Sequence, residues 1–165
     1  MNSLVTWFTI HLSGTIGKEA IVFLISLMPL LELRGGLLAA SLLKVPLGKA
    51  VIICVIGNFL PIPFILLFIK KIFAWMKRFR CFQGLVARLE NRVMSKSDQI
   101  KKVEFWGLML FVGIPLPGTG AWMGSLIAAL LEVDFKKALL AEILGIAMAT
   151  VLMSLVSYGL LGALI

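Results

Sequence analysis

The chain has 165 residues, of which 61% are hydrophobic and 15% charged, with a mean hydropathy of +1.06 and a net charge of +8. A soluble domain of this composition could not cover its apolar surface with polar atoms, so we expect an integral membrane protein with a few spanning elements. Ten of the sixteen basic residues lie between Lys70 and Lys102, which is typical of a juxtamembrane loop and argues against nucleic acid as a partner.

The N-terminal 19 residues lack the pattern of a secretory signal peptide. No charged region precedes a short apolar core, and no small-residue cleavage pattern follows, so we expect the segment to be kept in the mature protein. Aromatic residues and a single histidine, His11, precede the charged pair Lys18 and Glu19, which loosely favours a helix lying on the membrane surface. His11 is expected to be an interfacial side chain and not a ligand.

Four apolar blocks follow, over residues 20–43, 47–69, 105–131 and 138–165. The second and fourth are long enough to cross a hydrocarbon core about 30 Å thick, and they predict transmembrane helices over about 47–69 and 138–163. The first and third are interrupted near their middles, by "MPLLELRGG" and "GIPLPGTG". Each arm beside a break has about 7 to 10 residues, or about 10 to 15 Å of helix, which is half of the core.

The prolines and glycines of the second break would ruin a spanning helix. Irregular backbone at that depth must be buried in protein or line a wet cavity, so we predict that Pro115, Pro117 and the glycines after them form the tip of a re-entrant hairpin. The hairpins are predicted over about 20–43 and 105–131. The alternative is that both blocks are ordinary spans with kinks.

The polar stretch between the second and third blocks keeps apolar residues at intervals. They are Leu85, Val86, Leu89, Val93, Ile100 and Val103. This spacing loosely fits an amphipathic basic helix over about 77–104, with its apolar side on the membrane. Because positively charged loops stay on the cytoplasmic side, the basic loop 70–102 is predicted to face the cytoplasm.

The chain also matches itself at an offset of 88 residues. The stretch "LLKVPLGKAVIICVIG" from Leu42 aligns with "LLEVDFKKALLAEILG" from Leu130 at six of sixteen positions, and Gly36 falls on Gly124. Both halves share one order: surface helix, broken block, short polar link and full span. This order indicates an internal duplication.

The duplication sets the predicted architecture. A half that contains one full span and one hairpin returning to the same side places the two halves in inverted orientations, as in inverted-repeat transporters. We therefore predict an all-α integral membrane protein of two inverted repeats, each with a surface amphipathic helix, a re-entrant helical hairpin and a transmembrane helix. Repeat 1 is assigned to residues 1–70 and repeat 2 to residues 71–165.

The first break carries the strongest functional candidates. Glu32 and Arg34 lie inside an apolar block, where a charge is costly enough that a functional role is the default expectation. The alternative is that the two side chains neutralise each other, or snorkel, and only lock the tip.

The second break has no charge, but a new helical arm begins at Thr119 and Gly120. Unpaired N–H groups at that start, the positive end of the helix dipole and the Thr119 hydroxyl predict an anion site. Gly120 and Gly124 form a GxxxG pair, which more often serves close packing than a ligand. Asn58 and Glu142 are secondary candidates, Asn58 as a bond between helices and Glu142 as a proton carrier or an interface residue.

Enzymatic signatures are missing from the sequence. There is no HExxH, no GxSxG and no pair of aspartates spaced for a metal-dependent phospholipid enzyme. Cys54 and Cys81 show no CxxC or Cys/His spacing, so neither a disulfide nor a metal site is indicated. We therefore expect no enzymatic activity, no catalytic residues, no metal and no cofactor.

Several of these motifs resemble those of a known family. They are "ELRGG" from Glu32, "GN" at Gly57 and Asn58 with Pro61 following, and "PLPGTGAW" from Pro115 with Gly124 and Ser125 after it. From about residue 20 onward the chain resembles the small multidrug export proteins, and the eight-residue stretch is specific. More remotely, the plan is similar to the DedA superfamily, whose members are implicated in moving lipids, including undecaprenyl phosphate, across membranes.

The DedA resemblance is partial. An acidic residue marks the first hairpin in that superfamily, which Glu32 matches, and a Pro-Gly tip marks the second, which Pro117 and Gly118 match. The arginines that flank this Pro-Gly in DedA proteins correspond here to Ile114 and Gly120. The resemblance therefore leaves Arg34, from the other hairpin, as the residue that could supply a buried cation.

These features predict a small transporter of the bacterial or archaeal inner membrane, with membrane lipids and protons or another coupling ion as partners and a homo-oligomer left open. The favoured substrate is an amphipathic anion such as a polyprenyl phosphate or a phospholipid headgroup. Arg34 and the helix start at Thr119 and Gly120 would hold it while Glu32 changes protonation. One alternative is export of small hydrophobic cations by proton antiport at Glu32, and another is a non-transporting scaffold that organises partners through the basic loop.

Overall fold

The computed structural model describes residues 17–76 and 104–160, with short pieces at 78, 83–84, 86–88 and 91. The elements of the two long described ranges are α1 (Lys18–Leu27), α2 (Glu32–Leu42), α3 (Leu47–Phe59), α4 (Pro61–Met76), α5 (Glu104–Gly113), α6 (Ala121–Leu130) and α7 (Phe135–Ser154), which continues as a π-helical turn over Leu155–Leu160. The prediction of an all-helical protein is confirmed. Residues 1–16 and most of the basic segment 77–104 lie outside the described residues, and so do most residues of the predicted surface helices.

Two helical stretches are long and apolar enough to cross a membrane. Leu47–Ile69 comprises α3 and the start of α4, and Phe135–Gly159 comprises α7 and most of the π-helical turn. In their most apolar windows 33% and 39% of the residues are buried, so most side chains point outward, unlike those of a helix in a soluble core. Large outward side chains such as Ile52 and Phe64 are stable in this position when lipid replaces water as the solvent.

Each interrupted block forms two short helices with a break between them. Residues 28–31 separate α1 from α2, and residues 114–120 separate α5 from α6. Each of the four helices has ten or eleven residues, which is about 15 Å of helix and half of a hydrocarbon core. The arms of the first block share a broad interface, whereas α5 and α6 touch at few points.

The links from broken block to span are built alike in the two halves. Lys44 and Glu132, which are 88 residues apart in the sequence, have φ angles of 55° and 61°. A residue in this left-handed region directly after a helix is typical of the Schellman C-cap, in which the next N–H returns to the last helical turn. These bonds run from Val45 N to Ala40 O (2.9 Å) and from Val133 N to Ala128 O (3.0 Å).

Gly57 and Gly145 are also 88 residues apart, and each allows its span to pack closely against the first arm of its own block. A β-carbon at Gly57 would lie 3.0 Å from the carbonyl oxygen of Phe23 in α1, and one at Gly145 would lie 2.8 Å from that of Met109 in α5. Any side chain there would push the helices apart, because backbone cannot give way as a flexible side chain can. The spans then end against the opposite block, since α4 packs on α6 and the π-helical turn packs on α2.

Helix α7 begins at Phe135, three residues before the apolar block from which we predicted its start. The Asp134 carboxylate accepts hydrogen bonds from the N–H groups of Lys136 (3.1 Å) and Lys137 (3.2 Å). Such an N-cap satisfies donors that a helix start leaves unpaired. The two lysines therefore belong to the first turn, although their charge keeps them out of the apolar run.

Candidate functional site

The two breaks lie next to each other, and Glu32, the residue after the first break, makes hydrogen bonds at the end of the second. Its side chain is 5% exposed, and its carboxylate accepts hydrogen bonds from the N–H groups of Ala121 and Trp122, both at 3.1 Å. These N–H groups are the unpaired donors at the start of α6, where the helix dipole favours negative charge. Gly120, at the N-cap position of α6, offers no side chain for this role, so Glu32, 88 positions earlier in the sequence, caps the helix.

Backbone conformation on both sides of this contact is unusual. Glu32 has φ of 50°, a left-handed conformation that costs a non-glycine residue about 1 kcal/mol or more. Gly120 has φ of 129°, and a β-carbon there would lie 2.7 Å from the carboxyl carbon of Glu32. The glycine is therefore needed both for its backbone angle and for the close approach of the carboxylate.

Arg34 binds the other end of the second break, where α5 ends. Its guanidinium donates to the carbonyl oxygens of Leu116 (2.7 Å), Ile114 (3.1 Å) and Val112 (3.3 Å). It also donates to the Thr119 hydroxyl oxygen at 2.9 Å. Carbonyls at the end of a helix lack partners within it and form the negative end of its dipole, so a cation stabilises the end of α5.

The structure changes the expected relation between Glu32 and Arg34. The sequence left open that the two charges neutralise each other; in the structure they attract each other, and the hydrogen bonds of both side chains go to the second break and the helix ends beside it. Glu32 binds the start of α6, and Arg34 binds carbonyl oxygens at the end of α5 and in the break that follows it. The start of α2 thus supplies both charges, and the second break with its adjoining helix ends supplies the backbone groups that bind them.

A cavity of about 350 Å³ lies between the breaks. Five of the six main site residues predicted from sequence line it, namely Glu32, Arg34, Pro117, Gly118 and Thr119. The sixth, Gly120, is buried behind the Glu32 carboxylate. The remaining walls are largely apolar and include Leu30, Leu116, Met123 and Leu126. The structure therefore brings the main predicted residues together around one largely apolar cavity.

Sequence reasoning did not assign a role to Trp122, which lines this cavity. Its indole Nε1 is buried without a hydrogen-bond partner in the described structure. Trp122 and Pro29 also line a neighbouring groove of about 490 Å³, whose other walls are Leu24, Leu27, Met28 and Pro61. Trp122 belongs to the stretch "GIPLPGTGAW", but its position between two cavities depends on helices that are distant in the sequence.

The two secondary candidates lie away from this cavity. Asn58 in α3 is 3% exposed, and its Oδ1 has no hydrogen-bond partner in the described structure, so that oxygen does not make the predicted bond between helices. Glu142 in α7 is fully buried and accepts a hydrogen bond from the Ser125 hydroxyl at 3.0 Å. Ser125 was noticed in the sequence only beside a motif, because nothing local pairs it with a residue 17 positions later.

The comparison with known families agrees with this picture. Residues 32–152 match the model of a family described as "Putative small multi-drug export protein". The matched region covers most of the chain and includes Glu32, Arg34 and the whole second break with its glycines. The chain belongs to this family.

The description of this family names an export protein, which indicates a membrane transporter. Together with the two helical stretches that are long and apolar enough to cross a membrane, this description indicates a membrane protein. No curated protein and no solved structure matches it.

Proposed function

We propose that this small multi-drug export family member is a proton-coupled transporter of an amphipathic anion, such as a polyprenyl phosphate or a phospholipid. The observation that carries the proposal is that the Glu32 carboxylate binds two N–H groups at the start of α6, which have no partner within that helix. Helix starts of this kind are ready-made sites for phosphate. In the described state the protein's own carboxylate occupies the position that we propose for the substrate anion.

Exchange at this position couples the anion to a proton. An incoming phosphate competes with Glu32 for the N–H groups of Ala121 and Trp122. The displaced carboxylate is then left in a largely apolar cavity, where a charge without partners is costly, so it takes up a proton. Release of the anion reverses both steps, and the guanidinium of Arg34 nearby favours the anion throughout.

The surroundings suit a molecule with a charged head and an apolar tail. The headgroup fits the cavity that Glu32, Arg34 and Thr119 line. The hydrocarbon fits the neighbouring groove, whose walls are apolar and which shares Trp122 with the cavity. The remote DedA-like pattern at Glu32 and Pro117 favours the same substrate class.

We further propose that both broken blocks are re-entrant hairpins in inverted repeats. The matched link geometry at Lys44 and Glu132 supports the duplication, and arms of about 15 Å suit breaks near the midplane. With the basic loop 70–102 in the cytoplasm, this topology places both termini outside. A cysteine introduced at Ser97 should then react only from the cytoplasm, and a C-terminal reporter that is active only in the cytoplasm would contradict the hairpins.

Export of small hydrophobic cations is the second candidate. The family description names drug export, and Glu32 offers a carboxylate inside the largely apolar cavity. Arg34, whose guanidinium shares that cavity, repels a cation and is the reason for preferring an anion. A non-transporting scaffold is the third, and it requires that function survive the loss of Glu32.

The deciding experiment uses proteoliposomes with an imposed pH gradient. Transbilayer movement of a fluorescent anionic phospholipid and of a short polyprenyl phosphate is compared with movement of a cationic dye. We expect gradient-dependent movement of the anions, its loss in Glu32→Gln, and unchanged movement in Glu19→Gln, an exposed carboxylate in the first turn of α1. Movement of the dye alone would establish cation export, and no movement of either would favour the scaffold.

A further inference from the structure

Glu142 is a buried carboxyl group that the mechanism above does not use. It lies in α7 and faces α6, where Gly124 leaves room for it: a β-carbon at Gly124 would lie 2.9 Å from its Oε1. Its side chain is fully buried, Oε1 accepts the bond from Ser125, and Oε2 has no partner in the described structure. Only one of its two oxygens is therefore satisfied.

This environment suits the neutral acid. A buried carboxylate with one hydrogen bond and no counter-ion is far costlier than a neutral acid in the same place. A β-carbon at Gly124 would also lie close to the apolar side chains of Leu108 and Val112 from α5. A metal cation would need about six oxygen ligands, whereas Glu142 and Ser125 supply very few, so a proton is the cation that fits.

The charged and titratable groups on the elements packed against α7 are few, and most have other partners. Helix α6 carries no charged or titratable side chain. The one charged residue of α5 is at its first position, and those of α4 lie beyond the apolar span Leu47–Ile69. Arg34 is bound to the end of α5, Cys54 faces Gly36, and the Tyr158 hydroxyl donates to a backbone carbonyl. Lys49 of α3 is exposed. Glu32 and Glu142 both bind α6, Glu32 at the N–H groups of its first turn and Glu142 at Ser125, about one helical turn further along.

The duplicated architecture shows that helix packing does not require this carboxyl group. At the matched position 88 residues earlier, Cys54 of α3 faces Gly36 of α2, and a β-carbon at Gly36 would lie 2.9 Å from its Sγ. A small neutral side chain thus fills the equivalent place in the first half. The second half has Glu142 there, although burying an ionisable group is costly.

We propose that Glu142, with Ser125, is a second proton-binding site, whose occupancy is linked to that of Glu32 through the interaction of their charges. The linkage rests on the proposed function, whereas the site itself does not. When Glu32 is ionised on the start of α6, its charge holds the proton on Glu142. When the anion displaces Glu32 and Glu32 becomes neutral, that hold weakens, and Glu142 can release its proton.

The first arm of the test needs no substrate. Infrared spectra of the full-length protein in lipid nanodiscs, in H₂O and D₂O at neutral pH, report the carbonyl stretch of a protonated carboxylic acid. We expect one such band to be lost in Glu142→Gln, shifted in Ser125→Ala, which removes the hydrogen bond, and unchanged in the matched control Cys54→Ser. A spectrum of Glu142→Gln identical to that of the wild type overturns the site.

The second arm tests the linkage. In the proteoliposome assay with the anionic phospholipid, Glu142→Gln should lose the acceleration that a pH gradient gives to the wild type. Full gradient dependence in that variant overturns the role in coupling. If the wild type moves no anion at all, the proposed function fails, and the infrared arm still decides the proton site.

Discussion

The two breaks of the molecule differ in length, charge and packing. Residues 28–31 form a short break between arms that pack closely, and it is followed by Glu32 and Arg34. Residues 114–120 form a longer, uncharged break between arms that hardly touch. The second break depends on the first, because both of its helix ends are bound by side chains from the other block.

This difference shows how the duplication that we propose can still produce a single site. The links and the close-packed glycines are matched in the two halves, as at Gly57 and Gly145. The breaks are not matched, since one supplies charged side chains and the other supplies backbone N–H and C=O groups. The substitutions below test whether those roles are as unequal as the contacts indicate.

The largest effect is expected for Gly120→Val. Its φ of 129° is unfavourable for any residue with a β-carbon, and that β-carbon would overlap the Glu32 carboxylate. We expect anion transport to be abolished at matched expression. Gly48→Val is the control, since Gly48 is exposed and a β-carbon there has no neighbour within 4 Å. Full activity in Gly120→Val would leave the motif "GIPLPGTGAW" as a packing device.

The next effect concerns the two charges together. Bonds to charged groups contribute about 1.5 to 3 kcal/mol each, so Glu32→Gln and Arg34→Gln should each lower the thermal stability in detergent and reduce transport strongly. Because the two charges are close in sequence and attract each other, each single change leaves the other charge uncompensated, and the loss of stability in the double variant should be smaller than the sum of the two single losses. Recovery of transport in the double variant would mean that the charges only neutralise each other.

Thr119 provides an intermediate test on the uncharged side. Its hydroxyl accepts from Arg34 and lies within hydrogen-bond distance of the Ile114 and Leu116 carbonyls. Thr119→Val is nearly the same size without the hydroxyl, and we expect transport to fall by about fivefold to tenfold, as for the loss of about 1 kcal/mol. Dose–response curves with the anionic phospholipid measure it, and an unchanged curve would exclude a role for the hydroxyl.

The smallest effect is expected for Thr119→Ser, which keeps the hydroxyl and removes one methyl group. Anion transport at saturating phospholipid should stay within about twofold of the wild type, because the bond from Arg34 is retained. A loss as large as that of Thr119→Val would show that the methyl group, and not the hydroxyl, sets the shape of the break.

Local features of the fold could be predicted from sequence. The span Leu47–Ile69 coincides with the predicted apolar block, and both breaks lie where proline and glycine interrupt an apolar run. The start of α7 could not be placed by hydropathy, because Asp134 caps a first turn that contains two lysines. Hydropathy reports which residues lipid tolerates, whereas a cap depends on a single hydrogen-bonding side chain.

The site was predictable as a set of residues but not as a set of bonds. Charge within an apolar block was sufficient to select Glu32 and Arg34, and a helix start after Pro-Gly was sufficient to select Thr119 and Gly120. That Glu32 itself occupies the predicted anion position could not be inferred, because the contact joins residues 89 positions apart. The hydrogen bond between Ser125 and Glu142 could not be predicted for the same reason, since it depends on how two helices pack.

The two attachments between the blocks respond differently to a ligand. An anion that competes for the N–H groups of α6 releases the contact with Glu32, while the carbonyls at the end of α5 stay bound to Arg34. In the proposed mechanism the second block therefore loses its contact with Glu32 but keeps its contact with Arg34, and it does not separate from the first block. The arms α5 and α6 touch at few points and pack mainly on different helices, α5 on α7 and α6 on α4, so in this mechanism one arm can move without the other.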